Sequence, residues 1–171
     1  IIPEDGLLVL NGDDSRCLEL AKETNAKTLT YGITNKNTNF FAVNIAFDND
    51  GFPEFDVYKE QKFYDRFKLY VPGMHNILNA LACISLCDSY GISNATIKTA
   101  LTKFRGANRR FEYKGKVNGS SIFDDYGHHP TEILATAKAL MNKKYNKSWV
   151  VFQPHTYSRT ANLLEDFAHS L

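Results

Sequence analysis

The chain has 171 residues, of which 43% are hydrophobic and 13% aromatic, so it can bury a core and differs in composition from a disordered protein. Its formal net charge of +1 argues against a polyanion-binding surface, and therefore against nucleic acid as the main partner. No stretch reaches the roughly 18 apolar residues of a membrane span, and an odd count of three cysteines suggests no disulfide framework, so we expect a cytoplasmic protein without membrane insertion.

The first elements predict a parallel crossover unit. Residues 7–10 are wholly apolar, as in a strand that is buried on both faces. Residues 11–14 read as a turn with an acidic helix cap, and residues 28–31 make a second short strand. A strand, a helix and a strand in under thirty residues indicate parallel pairing.

The next segment predicts an antiparallel meander at the edge of the sheet. Residues 41–47, 55–58 and 67–71 are rich in β-forming side chains. Residues 48–51 form a tight turn between the first two strands.

Two helices should follow the meander. The first begins near His75, and residues 77–87 are apolar on nearly every side, which predicts a buried helix. Cys83 and Cys87 should then be buried, inert thiols. Ser93 can cap the second helix, whose apolar residues keep helical spacing.

We place a domain boundary at residues 105–108, which divides the chain into domains 1–106 and 107–171. A basic stretch crosses this boundary, and a solvated linker is the usual explanation for such a run. A phosphate clamp fits better, because Arg110 follows the point where two domains can close on a nucleotide.

Beyond the boundary, strands and helices alternate again. Residues 120–123 and 149–152 are strand candidates, and Pro130 suits the first position of a helix between them. Residues 163–171 have the spacing of a final helix. The alternation predicts a parallel α/β sheet.

Polar residues cluster where ligands collect in open α/β sheets, at the carboxyl ends of strands. His75 and Asn79 share one helical face with Asn76 beside them, and amide side chains can pair with the edge of an adenine. The alternative is a helix start capped by polar side chains.

A second cluster spans residues 124–130. A carboxylate there could hold ribose hydroxyls, and Tyr126 offers a flat face for a base. The rival interpretation is a metal site, and hence a metal-dependent phosphoesterase, built from Asp124, Asp125, His128 and His129.

The third cluster holds His155 and Arg159 near a helix N-terminus, where both suit a carboxylate or phosphate. A capped helix with a surface arginine is the alternative.

Four ordered segments together resemble the Mur ligases. They are GMHNILNA at 73–80, GANRRFE at 106–112, DDYGHHPTE at 124–132 and VFQPHTYSRT at 151–160. The last two resemble the branch of the family that adds L-alanine to UDP-N-acetylmuramate. This resemblance implies an α/β chain formed by the later half of a central ATPase domain, with parallel strands plus an antiparallel meander, followed by the first half of a Rossmann-like C-terminal domain.

The resemblance implies an ATP-dependent, ADP-forming ligase of peptidoglycan precursor synthesis that works through an acyl phosphate, with ATP, Mg²⁺, L-alanine and UDP-N-acetylmuramate as its ligands. By this resemblance, His75, Asn76 and Asn79 would contact adenine, with Tyr126 nearby. Asp125 would bind the ribose, and Arg110 would contact the phosphates. The carboxylate of the amino acid would be bound by His128, His155 and Arg159. Arg110 and Asp125 would be the catalytic pair. Thr156 stands where some relatives have arginine, which weakens the expected carboxylate clamp.

Both ends of the sequence look cut, since it starts without methionine and stops within a helical pattern. It contains no G-x-x-x-x-G-K-[ST] phosphate loop. We therefore expect this chain alone to lack ligase activity and the Mg²⁺ ligands to lie upstream of it, with no metal ligands within it. Two further alternatives remain open, a ligase that recycles muropeptides and a non-catalytic nucleotide-sensing module.

Overall fold

The computed structural model describes residues 2–171 and shows an α/β fold with a five-stranded mixed sheet and a separate two-stranded sheet. The strands are β1 Leu7–Asn11, β2 Lys27–Gly32, β3 Phe40–Phe47, β4 Pro53–Lys59, β5 Lys62–Lys68, β6 Glu112–Val117 and β7 Ser120–Asp124. The helices are α1 Ser15–Leu20, α2 Met74–Ser89, α3 Asn94–Lys103, α4 Pro130–Met141, α5 Tyr157–Asn162 and α6 Leu164–Ser170. The predicted α/β class is confirmed.

The larger sheet has the order β1-β2-β3-β4-β5. β1 pairs with β2, and β2 with β3, in parallel, whereas β3, β4 and β5 pair antiparallel. The crossover unit and the meander are thus confirmed.

The position predicted for the third meander strand, residues 67–71, is wrong. β5 starts at Lys62 because a two-residue turn of Glu60 and Gln61 joins it directly to β4. Both turn residues have positive φ, 48° and 64°, as tight hairpin turns require. Neither residue is glycine, asparagine or aspartate, so the sequence carries no ordinary signal for this turn.

The core of the first part lies between the larger sheet and helices α2 and α3. Phe55, Val57 and Phe67 point from β4 and β5 into this core, where they meet Ile77 and Leu81 of α2. β4 alternates buried and half-buried residues, the pattern of a strand with one face on the core.

The prediction that α2 is buried on nearly every side is wrong. Its buried residues fall on one face, while Asn79 and Cys83 on the other face are exposed. The reason is that only one face packs on the sheet, and the opposite face borders a cavity. The thiol of Cys83 is therefore not a core thiol.

The second part begins with an antiparallel hairpin of β6 and β7, and β6 was not predicted. Helix α4 starts at Pro130 as expected. The predicted strand at residues 149–152 is not formed, because no strand lies beside it within residues 2–171 to complete its hydrogen bonds. Val151 is 97% exposed, so nothing covers its side chain. The parallel pairing predicted here is likewise not found among residues 107–171.

The predicted final helix forms as α6, and Leu163 separates it from the short helix α5 before it. Leu163 has φ −121° and ψ 24°, outside helical geometry. Phe167 of α6 is buried and stacks on Phe152 at 5.4 Å between ring centroids.

Lys143, just after α4, ties the two parts together. Its Nζ donates to the carbonyl oxygen of Asp50 at 2.6 Å. The same ammonium lies 5.4 Å from the ring centroid of Phe52 and 5.7 Å from that of Phe123, so both parts contribute to its site. Helix α4 also contacts α2. No described helix combines the length and apolar character needed to cross a membrane.

Candidate functional site

A cavity of about 910 Å³ lies between the two parts. Its polar wall includes His75, Asn76 and Asn79 from α2, and Arg110 and Asp125 from beyond the predicted boundary. Its apolar wall is formed by α3, the linker and α4, with the side chains of Ile92, Ile97, Ala100, Leu101, Phe104, Ala107 and Ala135. Volume and lining are typical of a small-molecule site.

Gly73 gives α2 its unusual start. The residue has φ +98°, and a Cβ at this position would lie 2.7 Å from Cε1 of His75. Only glycine combines this backbone conformation with room for the ring. The imidazole of His75 can therefore fold back against the helix N-terminus.

The hydrogen bonds of His75 fix its tautomer. Asn76 Nδ2 donates to the carbonyl oxygen of Pro72 at 2.8 Å and lies 3.2 Å from Nε2 of His75. Because an amide nitrogen only donates, Nε2 accepts and the proton of the neutral ring sits on Nδ1. Nδ1 is buried and has no hydrogen-bond partner among residues 2–171. Such an atom calls for a ligand that accepts a hydrogen bond.

Burial lowers the pKa of His75, an effect that Arg110 reinforces and Asp125 opposes. The folded protein thus binds a proton here less readily than the unfolded chain does. The contribution of His75 to the free energy of unfolding should be fully present above the pKa of about 6.5 that this histidine has in the unfolded chain. That contribution should be lost as the pH falls below this value.

We predict that urea unfolding at pH 7.5 and 5.5 will show this loss for the wild type and a smaller loss for His75→Gln. Gln keeps a polar side chain but does not titrate. Equal pH dependence in the two proteins would contradict the assignment to His75, and His169→Gln, altering the exposed histidine of α6, is the matched control.

Asn76 and Asn79 form a short amide chain along α2. Asn79 Nδ2 donates to Oδ1 of Asn76 at 3.3 Å. This contact orients the side chain of Asn76 so that its Oδ1 faces Asn79, in the next turn of the helix. Asn79 itself is exposed on the wall of the cavity, where its amide can meet a ligand.

Asp125 fastens the loop after β7 to the linker. Its Oδ2 accepts from the backbone N–H of Phe111 at 2.8 Å, and its Oδ1 accepts from that of Gly127 at 2.6 Å. Phe111 and the nearby Arg109 have positive φ, 48° and 58°, which bends the linker toward the carboxylate. Each oxygen keeps a second lone pair for a ligand hydroxyl.

Glu132 positions several groups of the site, and the sequence analysis did not identify it as a site residue. It accepts hydrogen bonds from the backbone N–H groups of His128 and His129, at 3.0 and 3.2 Å, and from Nη2 of Arg110 at 3.1 Å. Desolvation raises its pKa, but the hydrogen bonds from His128 and Arg110 outweigh it, so the pKa lies below its ordinary value. A capping box of His129 and Glu132 is the sequence signal that could have identified it.

The remaining predicted site residues lie away from the cavity lining. Tyr126 is half exposed and packs under the guanidinium of Arg109, 4.5 Å from the ring centroid. His128 donates from Nδ1 to the carbonyl oxygen of Tyr126 at 2.9 Å. His155 and Arg159 lie at α5, and His155 is exposed. The structure thus brings five of the nine ligand-binding candidates together at the cavity and leaves four outside its lining, namely Tyr126, His128, His155 and Arg159.

The geometry does not favour the rival metal site. Asp124 pairs with Arg109 at 3.4 Å, and Nδ1 of His129 accepts from the backbone N–H of Thr131 at 3.3 Å. Asp125 and His128 are engaged as described above. Within residues 2–171 no three His, Cys, Asp or Glu side chains converge as metal ligands would.

Comparisons with known proteins agree along the whole chain. Residues 2–87 match the family model described as "Mur ligase middle domain", and residues 109–171 match "Mur ligase, glutamate ligase domain". A UDP-N-acetylmuramate–L-alanine ligase from Clostridium beijerinckii is 49% identical over 98% of this chain, which spans 36% of that relative's length. The crystal structure of a UDP-N-acetylmuramate–alanine ligase from Thermotoga maritima superposes with a TM-score of 0.78 and 32% identity, covering 96% of this chain and 35% of that one. A murein peptide ligase from Psychrobacter arcticus superposes with a TM-score of 0.64 and 28% identity, covering 91% of this chain and 32% of that one.

Proposed function

Because the chain belongs to the Mur ligase family, we propose that it forms the nucleotide cleft of an ATP-dependent ligase that joins L-alanine to UDP-N-acetylmuramate. The chain spans about a third of the length of the relatives it matches, so this activity is proposed for the whole protein to which such a cleft belongs.

The observation that carries the proposal is the polar wall of the cavity. His75 presents a buried donor with no partner among the described residues, and Asn79 presents an amide one turn further along α2. Donors and acceptors so arranged suit the ring nitrogens and amino group of adenine. The apolar residues that line the same cavity would cover the faces of the base.

Asp125 and Arg110 line the same cavity from beyond the predicted boundary. We assign ribose hydroxyls to the remaining lone pairs of Asp125 and phosphate oxygens to the guanidinium of Arg110. Glu132 holds only one nitrogen of that guanidinium, at 3.1 Å, which leaves further N–H groups to bind an anion. Positive charge at this point would offset the negative charge that phosphoryl transfer gathers on its oxygens.

ATP transfers its terminal phosphoryl group to the muramyl carboxylate, which gives an acyl phosphate and releases ADP. The amine of alanine then attacks the acyl phosphate, and inorganic phosphate leaves. We assign no Mg²⁺ ligand within residues 2–171. Carboxylate binding by His128, His155 and Arg159, and base contact by Tyr126, stay predictions, since none of the four lines the cavity. They would require the loop after β7 and the start of α5 to move toward it.

The muropeptide-recycling alternative receives less support. The alanine ligase of C. beijerinckii is 49% identical, whereas the murein peptide ligase is 28% identical and superposes less closely than the alanine ligase of T. maritima. The alternative of a non-catalytic nucleotide-sensing module predicts that this chain alone binds ATP with micromolar affinity.

We predict that Asn79→Ala weakens the binding of a fluorescent ADP analogue to this chain about tenfold, since a net loss of about 1.4 kcal/mol corresponds to one or two hydrogen bonds. Fluorescence titration measures the dissociation constant. Asn162→Ala, which alters an exposed helical asparagine outside the cavity, should bind like the wild type. Unchanged binding by Asn79→Ala, or equal losses in both variants, would contradict the proposal.

A further inference from the structure

Helix α2 presents two thiols to the cavity that the proposed reaction does not use. Cys83 and Cys87 are four residues apart, and their Sγ atoms lie 3.9 Å from each other. Both side chains line the cavity, with Cys83 exposed and Cys87 half-buried. The third cysteine, Cys17, lies on α1 and does not line the cavity.

These thiols are poorly placed to form a disulfide. Residues four apart on a helix have Cβ atoms about 5–6 Å apart, whereas a disulfide needs about 3.5–4.5 Å. Closing the bond would bend α2, whose opposite face is fixed in the core by Ile77 and Ile84, both fully buried. The pair therefore stays reduced, with two sulfurs side by side.

We propose that Cys83 and Cys87 form a binding site for a soft monovalent metal ion of the Cu(I) type. Thiolate sulfur selects such ions. Zinc would require four ligands in a tetrahedron, and no third His, Cys, Asp or Glu converges on the pair within residues 2–171. A monovalent d¹⁰ ion is satisfied by two sulfurs.

Binding forms two metal–sulfur bonds and releases two thiol protons to solvent, and no oxidation state changes. Burial, and then the neighbouring Cys87, raise the pKa of the Cys83 thiol. Because cysteine binds a metal as the thiolate, a soft ion must displace both thiol protons. The site needs only the two sulfurs, so it stands independently of the proposed nucleotide function.

The test is a titration of this chain with Cu(I) from its bicinchoninate complex under argon, in which loss of the complex's colour measures transfer. The wild type should take up one ion per chain. Cys83→Ser and Cys87→Ser should each bind at least tenfold more weakly, and Cys17→Ser should bind as the wild type does. No uptake by the wild type, or equal weakening in Cys17→Ser, would overturn the proposal.

X-ray absorption at the copper edge of the loaded wild type supplies a readout that does not depend on the variants folding. Two sulfur scatterers per copper are expected. A spectrum with one sulfur, or with nitrogen and oxygen ligands only, would overturn the site.

Discussion

Replacing Asp125 by alanine is expected to lower the free energy of unfolding by about 2–4 kcal/mol and to weaken nucleoside binding at least tenfold. The carboxylate accepts two backbone N–H groups, and hydrogen bonds to a charged partner contribute about 1.5–3 kcal/mol each, less where water can replace them. Losing the carboxylate also releases the linker at Phe111, which borders the cavity. Urea unfolding and adenosine titration measure the two effects.

Asp124→Ala is the matched control, because it removes the neighbouring carboxylate. Asp124 makes a surface ion pair with Arg109 at 3.4 Å and does not line the cavity. Its removal should cost under about 1 kcal/mol and leave adenosine binding unchanged. Equal losses of stability and of adenosine affinity in Asp124→Ala and Asp125→Ala would contradict the role proposed for Asp125.

Glu132→Ala should be the second most damaging substitution, with a loss of about 2–3 kcal/mol in the free energy of unfolding. It leaves the backbone N–H groups of His128 and His129, just before α4, without their acceptor, and it removes the partner of Arg110. Because Arg110 then loses its fixed position, ADP affinity should fall more than adenosine affinity. Calorimetric titration with both ligands measures that difference.

Glu132→Gln provides the informative intermediate, since it keeps one acceptor oxygen but no charge. We expect it to retain most of the stability and to show part of the ADP-specific loss. As a control, Glu165→Ala removes an exposed acid from the first turn of α6 and should cost about 0.3–1 kcal/mol without affecting either ligand. An equal loss for ADP and adenosine in Glu132→Ala would show that Arg110 does not contact phosphate.

Much of the fold could be predicted because local chemistry and tertiary structure agree. The apolar strand at residues 7–10, the cap at Ser93 and the proline at the start of α4 each form as their residues favour. The polar cluster at His75 could be located from the sequence, but its spacing equally fits a capped helix start, and only the resemblance to the Mur ligases implied adenine contacts.

Other features depend on contacts that sequence patterns do not show. The turn at Glu60 and Gln61 adopts positive φ without the residues that usually signal it, so β5 was misplaced. Residues 149–152 have the composition of a strand, but a strand forms only when a neighbour supplies its hydrogen bonds. Cys83 looks like a core thiol in sequence, and only the position of α4 shows that its face of α2 borders a cavity.

The candidate site was predictable to a similar extent. His75, Asn79, Arg110 and Asp125 come from separate segments of the sequence but line one cavity, as the proposed binding of one nucleotide requires. Glu132 was missed because a capping box signals only the start of a helix, whereas the contact of Glu132 with Arg110 depends on the tertiary structure.

The central claim is that the start of α2 and the loop of Asp125 bind opposite sides of one nucleoside. An adenosine titration followed by two-dimensional NMR tests it most directly, because the His75 imidazole and the Asp125 amide report separately. We predict that both signals shift and saturate with one dissociation constant, while guanosine shifts neither. Shifts confined to one of the two, or two distinct constants, would show that these groups do not share a ligand.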